Sequence, residues 1–422
     1  MAIKHPRLYI HIGGLVVVLA AAGFLFTTSS ELFAVKYDQP IKKEATDIKG
    51  DTKTPVQTPV ADTKINQGVV VTHVQPPEAV KSIYMSQCVA GTPSFRDKLI
   101  TVADTTEINA IVIDIKDYSG RVGYVTDNPT LKDAVSDTCR APDIVQLIDR
   151  LHQKNIYVIG RITVFQDPYM SKIHPERAVR KFSDGGVWKD GKGLSFIDVG
   201  SRDHWNYIVE LSKESYKMGF DELNYDYIRF PSDGNMEDAD YTLSVDKGKT
   251  KPQAVEEFFT YLQQQVKPTG VMMSADLFGM TTTSTDDLGI GQVLERALPH
   301  FDYVAPMVYP SHYPPQFNGW ADPNKFPYDL IKYVMTSAVE RANALDRAAY
   351  AQSIGTTTPA LVAKYTPTTY KKLRPWLQDF DYGGNYDIPE VKAQIKATYD
   401  VGLNSWMLWA PSNIYTTGAL EK

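Results

Sequence analysis

Only two cysteines, Cys88 and Cys139, occur in the 422 residues. A disulfide-dense scaffold and a four-cysteine zinc site are therefore excluded. No Cys-x-x-Cys, Gly-x-Ser-x-Gly or His-Glu-x-x-His occurs, and no complete Gly-x-x-x-x-Gly-Lys-Ser/Thr. Dithiol redox, serine-esterase, zinc-peptidase and P-loop chemistry lose their usual carriers. The eight histidines are scattered, so no metal site is expected. The stretch 233–240, rich in Asp, reads as a solvated loop. No glycine-rich nucleotide turn follows the first strand-like run, and no cofactor is called for. Positive charge is not in excess: 44 Lys and Arg face 50 Asp and Glu, for a net charge of −6. Such a balance argues against nucleic acid as a partner.

What is present begins with one long apolar run, residues 8–26, preceded by Lys4 and Arg7. Its length suits a membrane-spanning helix, and the preceding cations keep the N-terminus in the cytoplasm. Residues 1–35 are thus expected to form a short cytoplasmic stub and a transmembrane signal anchor, with secretion the outcome if the anchor is cleaved. Residues 36–78 are rich in Lys, Thr, Asp, Pro and Gln, and read as a flexible extracytoplasmic linker. Residues 79–422 form the domain proper. Outside the cytoplasm Cys88 and Cys139 can pair, closing a loop of about fifty residues. The alternative is two unpaired buried thiols.

From residue 80 onward, short apolar runs alternate with amphipathic stretches. Strands are expected at 82–85, 110–115, 157–163, 222–227, 271–276, 303–308, 374–377 and 405–409. Helices are expected at 141–154, 202–218, 252–266, 290–298, 329–344 and 388–401. Alternation of this kind implies an α/β fold with a parallel sheet, and eight units match a (β/α)8 TIM barrel. A doubly wound open sheet is the alternative. The segments 164–200 and 309–328 are long loops at strand C-termini, where a barrel builds its site.

Strand 222–227 runs into acidic and cationic side chains, although a buried strand should be apolar. Asp226 there and Asp276 on the next strand deliver two carboxyl groups to one rim, which is what glycoside hydrolysis requires. Arg229 near Asp226 would hold it ionised, while the apolar neighbours of Asp276 suit a protonated acid. The rest of the rim offers Asp114, Lys116, Arg161, Tyr225, Tyr309, His312, Trp376, Asp379 and Trp409 as substrate contacts. Asp114 with Lys116 also reads as a structural ion pair, and the tryptophans equally as core.

The strings at 224–231, 274–279, 305–313, 374–380 and 405–409 together resemble the glycoside hydrolase-like domain family DUF4015, over about residues 80–415. That resemblance implies a TIM-barrel, glycosidase-like fold. The chain is also similar to α-amylase-like barrels, which implies Asp226 as nucleophile, Asp276 as acid and Asp379 as helper. The acid is then an Asp, one methylene shorter than the Glu of those enzymes. The string 307–309 is similar to chitinase-like barrels. Ile228 stands where their catalytic Glu belongs, so their substrate-assisted mechanism is not expected. The expectation is a membrane-tethered, extracytoplasmic glycoside hydrolase acting on a polysaccharide or oligosaccharide. Its rivals are a carbohydrate-binding barrel without turnover and a structural cell-envelope protein.

Overall fold

The structure, a computed structural model, describes residues 69–245 and 248–422. Eight parallel strands close into a barrel. They are β1 (Lys81–Met85), β2 (Ala110–Lys116), β3 (Tyr157–Thr163), β4 (Glu222–Asp226), β5 (Met272–Phe278), β6 (Tyr303–Met307), β7 (Trp376–Gln378) and β8 (Trp406–Trp409). Each pairs with its neighbours in sequence, and β8 pairs with β1 to close the ring. Helices α1 (Pro93–Thr105), α2 (Ile144–His152), α3 (Arg202–Lys217), α4 (Lys251–Val266), α5 (Leu294–Ala297), α6 (Pro327–Ser353) and α7 (Ile388–Asp400) occupy the seven connections. The doubly wound alternative is thereby excluded, since an open sheet has two edges and this one has none.

The strands form for the reason parallel strands usually do. β2 and β3 are runs of β-branched and aromatic residues, buried along their whole length between lumen and helices. α4 starts on a capping box, Thr250 with Gln253, and has Pro252 in its first turn. α2 buries Ile144, Val145, Leu147, Ile148 and Leu151 on one stripe.

Alternation sorts each strand into two faces. Tyr84, Val112, Ile159, Ala305, Trp376 and Met407 meet in the lumen. Ile83, Ile111, Val158, Leu223, Ala275 and Leu408 join the larger core under the helices. Near the strand N-termini the lumen is closed by a buried ion pair, Arg374 Nη1 to Glu222 Oε1 at 2.9 Å. The Tyr157 hydroxyl also donates to Glu222.

Several boundaries differ from those read in the sequence. α1 was not anticipated: its buried face, Arg96, Leu99, Ile100 and Ala103, is too mixed to stand out as a stripe. Only Leu294–Ala297 of the expected helix at 290–298 is α-helical, because glycines at 289 and 291 adopt positive φ just before it. α6 runs further than expected, to Ser353.

Residues 69–78, the end of the segment read as linker, contain no helix or strand but lie against the barrel. Val74 N–H donates to Asp221 Oδ1 at 2.7 Å, and His73 stacks on Tyr216 with centroids 4.1 Å apart. The apolar run at 8–26 and most of the linker lie outside the described residues. Among the described residues, no helix is long and apolar enough to cross a membrane. Cys88 and Cys139 form a disulfide, with Cα atoms 4.2 Å apart. It ties the turn after β1 to the loop after β2.

Candidate active site

A cleft of about 980 Å³ opens at the C-terminal ends of the strands. This is the end where barrel enzymes place their chemistry. At its floor, Arg161 on β3 gathers three carboxyl groups, two from the strands beside it and one from the strand beyond β4. Its Nη1 donates to Asp114 Oδ1 on β2 at 2.7 Å, and its Nε to Asp226 Oδ2 on β4 at 3.1 Å. Asp276 Oδ2 on β5 lies 3.9 Å from the same Nε. Asp226 and Asp276 are therefore brought together, with their nearest oxygens at most about 7 Å apart through that nitrogen (3.1 and 3.9 Å).

The three carboxyl groups sit in different surroundings. Asp226 faces the cleft, and its Oδ1 accepts from Tyr227 N–H at 2.6 Å. With the guanidinium on Oδ2, three donors converge on it. Asp276 lies deeper, outside the cleft wall. Its Oδ1 accepts from Asn224 Nδ2 and Trp376 Nε1, both at 2.8 Å. Burial raises its pKa well above the usual carboxylate range, and the charge of Asp226 raises it further; Arg161 and the two donors only partly offset this. Asp114 lies in the cleft wall and accepts a hydrogen bond from the Tyr84 hydroxyl on Oδ2. Burial pushes its pKa to about 6 against the opposing effects of Arg161 and Tyr84, with Asp117 adding to the rise.

The cation expected on Asp226 was Arg229. The structure gives that role to Arg161, while Arg229 turns to the Phe230 carbonyl and the Ser232 hydroxyl. The cause is local. Tyr227 adopts φ +52°, a left-handed conformation that is costly for a tyrosine, so the strand alternation ends at Asp226. Tyr227 and Arg229 both still line the cleft.

Two expected contacts lie elsewhere. Tyr225 is fully buried on the helix side of β4 and donates to Ser212 Oγ on α3, because Asn224 and Asp226 take the inward positions. Lys116 pairs with Asp167 at 2.9 Å, and also donates to the Thr163 carbonyl. It does not pair with Asp114. The β2–β3 register shifts between Asp114 and Lys116, which takes Lys116 off the cleft face.

Tyr309, His312, Trp376, Asp379 and Trp409 line the cleft. Both oxygens of Asp379 are held by Thr416, through its hydroxyl at 2.6 Å and its N–H at 3.0 Å. Trp409 stacks on Tyr84, with centroids 4.2 Å apart, and meets Trp376 edge-on at 5.5 Å. Half-apolar rings of this kind suit the C–H faces of sugars. Sequence reasoning passed over Tyr84 and Asn224, although each shares the inward parity of a strand that was identified. It also passed over Tyr382 and Tyr415, on loops with no strand pattern to place them. The long loop 164–200 contributes nothing to the cleft wall, which is built instead from the turn after β1 and the segments after β2, β4, β6, β7 and β8.

Residues 82–415 match a family, DUF4015, described as "Putative glycosyl hydrolase domain". The chain belongs to this family. A hypothetical protein from Ruminiclostridium thermocellum is 33% identical over 49% of this chain and 98% of its own, at a TM-score of 0.42. The glycoside hydrolase domain of PgaB (BpsB) from Bordetella bronchiseptica is 14% identical, covering 82% of this chain and 99% of its own, with a TM-score of 0.55. At that identity the likeness shows a shared fold. No curated protein matches the sequence. The domain is thus glycosyl hydrolase-like in family and in fold.

Proposed function

We propose that this domain hydrolyses a glycosidic bond in a polysaccharide, using carboxyl groups at the ends of β4 and β5. The observation that carries the reading is the shared guanidinium of Arg161, which brings Asp226 and Asp276 together beneath an aromatic-walled cleft. Asp226 serves as the ionised group that attacks the anomeric carbon or activates water. Asp276, kept neutral by burial and by its charged neighbour, holds the floor against it. The apolar run at 8–26 would tether the domain outside the cytoplasm, and the Cys88–Cys139 disulfide is in keeping with an oxidising compartment.

The test is to incubate the purified full chain with a panel of bacterial and plant polysaccharides and to measure new reducing ends and binding. The wild type should release ends from at least one glycan, and Asp226→Asn should bind that glycan and release none. Binding without release by the wild type would instead identify a carbohydrate-binding barrel. Neither binding nor release across the panel would remove the support for a glycan-directed function.

A further inference from the structure

We propose that Asp114 on β2 is the proton donor to the leaving oxygen, a role the strand-end pattern gives to Asp276. The proposal rests on the glycosidase reading and assigns its acid. A proton donor must reach the glycosidic oxygen from the wall of the cleft. Asp276 is closed in: it is absent from the cleft wall, whereas Trp376, which donates to its Oδ1, lines the cleft. Asp114 is in the wall, on the far side of Arg161 from Asp226. A sugar over the guanidinium would have one carboxyl group at each edge.

The groups facing Asp114 come from every element around it. Tyr84 on β1 donates to Oδ2, Arg161 on β3 donates to Oδ1, and Asp117 after β2 acts through its charge. Asp226 stands beyond Arg161. Burial and Asp117 favour the neutral acid, whereas Arg161 and Tyr84 favour the carboxylate. The opposition leaves Asp114 near the point where a group can give up a proton and stay stable afterwards.

The step balances as follows. The bond from the anomeric carbon to the leaving oxygen breaks, and its electron pair goes to that oxygen. The oxygen takes the proton that neutral Asp114 carries on Oδ2, and the Tyr84 hydroxyl then donates to the oxygen left bare. The carbon receives an electron pair from Asp226, or from a water whose proton passes to Asp226. The Asp114 carboxylate so formed keeps Arg161 and the Tyr84 hydroxyl as donors. Where Asp226 attacks, a water then breaks the bond between that carbon and Asp226, its hydroxyl going to the carbon and its proton to Asp114; where water attacks, the proton taken by Asp226 is lost to solvent and solvent restores Asp114.

The experiment compares the wild type, Asp114→Asn and Asp276→Asn on the polysaccharide the wild type cleaves and on the glycosyl fluoride of the sugar released. Fluoride leaves without a proton. Asp114→Asn should lose roughly 10²–10⁴-fold on the polysaccharide and stay close to the wild type on the fluoride, with the alkaline limb of the pH profile lost. Equal loss on both substrates would make Asp114 structural and overturn the proposal. So would an unchanged polysaccharide rate, or the fluoride-selective pattern appearing in Asp276→Asn instead. A substrate-free readout separates this from failure of the glycosidase reading: carboxyl-carbon NMR of the wild type against Asp114→Asn. Titration of Asp114 near pH 6 supports the proton-carrying role, and titration in the ordinary Asp range overturns it.

Discussion

Arg161 and Asp226 face each other across adjacent strands, Nε to Oδ2 at 3.1 Å, and no other arginine approaches that carboxylate among the described residues. The same guanidinium serves Asp114 and stands near Asp276. One buried cation therefore balances a floor that would otherwise hold three acids. Such a group is worth far more than a surface ion pair, because its loss leaves charge stranded in a dry interior.

Arg161→Gln should accordingly lower stability by about 3–5 kcal/mol and activity by at least ~10²-fold. The sign of the pH effect follows from Asp114, whose folded pKa is already raised by burial and held down by Arg161. Without the guanidinium it rises further. A group with a raised folded pKa contributes stability below its unfolded value, and that contribution is lost as pH rises through the folded value. The variant should therefore lose stability more steeply than the wild type above about pH 6, the value to which burial lifts Asp114 in the wild type. Urea unfolding between pH 5 and 8 measures this. Parallel pH curves for the two proteins would refute it.

The opposite end of the barrel has its own pair. Arg374 and Glu222 are both buried at the closed end of the lumen, outside the wall of the cleft. Arg374→Met alone should cost about 3–5 kcal/mol, since it strands the Glu222 carboxylate. Adding Glu222→Leu should recover much of that loss, although the Tyr157 hydroxyl then needs a new partner. A double-mutant cycle in urea reads the coupling. Activity per folded molecule should not change, which separates this pair from the one around Arg161.

Strand alternation made Asp226, Trp376 and Trp409 visible, because period-two patterning fixes which residues share a face. It could also have shown Asn224 and Tyr84. What it could not show was which cation meets which acid, since that depends on how neighbouring strands are offset. Arg161 sits opposite Asp114 in the β2–β3 register, 47 residues away in the sequence. Arg229 was nearer in sequence and was the natural choice, but one left-handed residue, Tyr227, turned it away. Lys116 shows the same limit: by simple alternation it follows Asp114, yet a register shift between them sends it to Asp167. Loops 379–387 and 411–416 supply much of the cleft wall, and their residues carry no periodic signal at all.

The disulfide joins stability to the cleft. Cys88 is exposed and lines the cleft beside Gln87, and its partner Cys139 lies 51 residues further on. Closing a loop of that length contributes roughly 4 kcal/mol by chain entropy, which corresponds to a melting shift of roughly 5–10 °C for a domain of this size. Cys139→Ser, or reduction of the wild type, should lower the melting temperature by that order. The floor around Arg161 does not depend on the bridge, whereas the turn carrying Gln87 does. KM should therefore rise more than kcat falls, and the melting loss should be the same for variant and reduced wild type. A fall in kcat with KM unchanged would show instead that the bridge supports the floor itself.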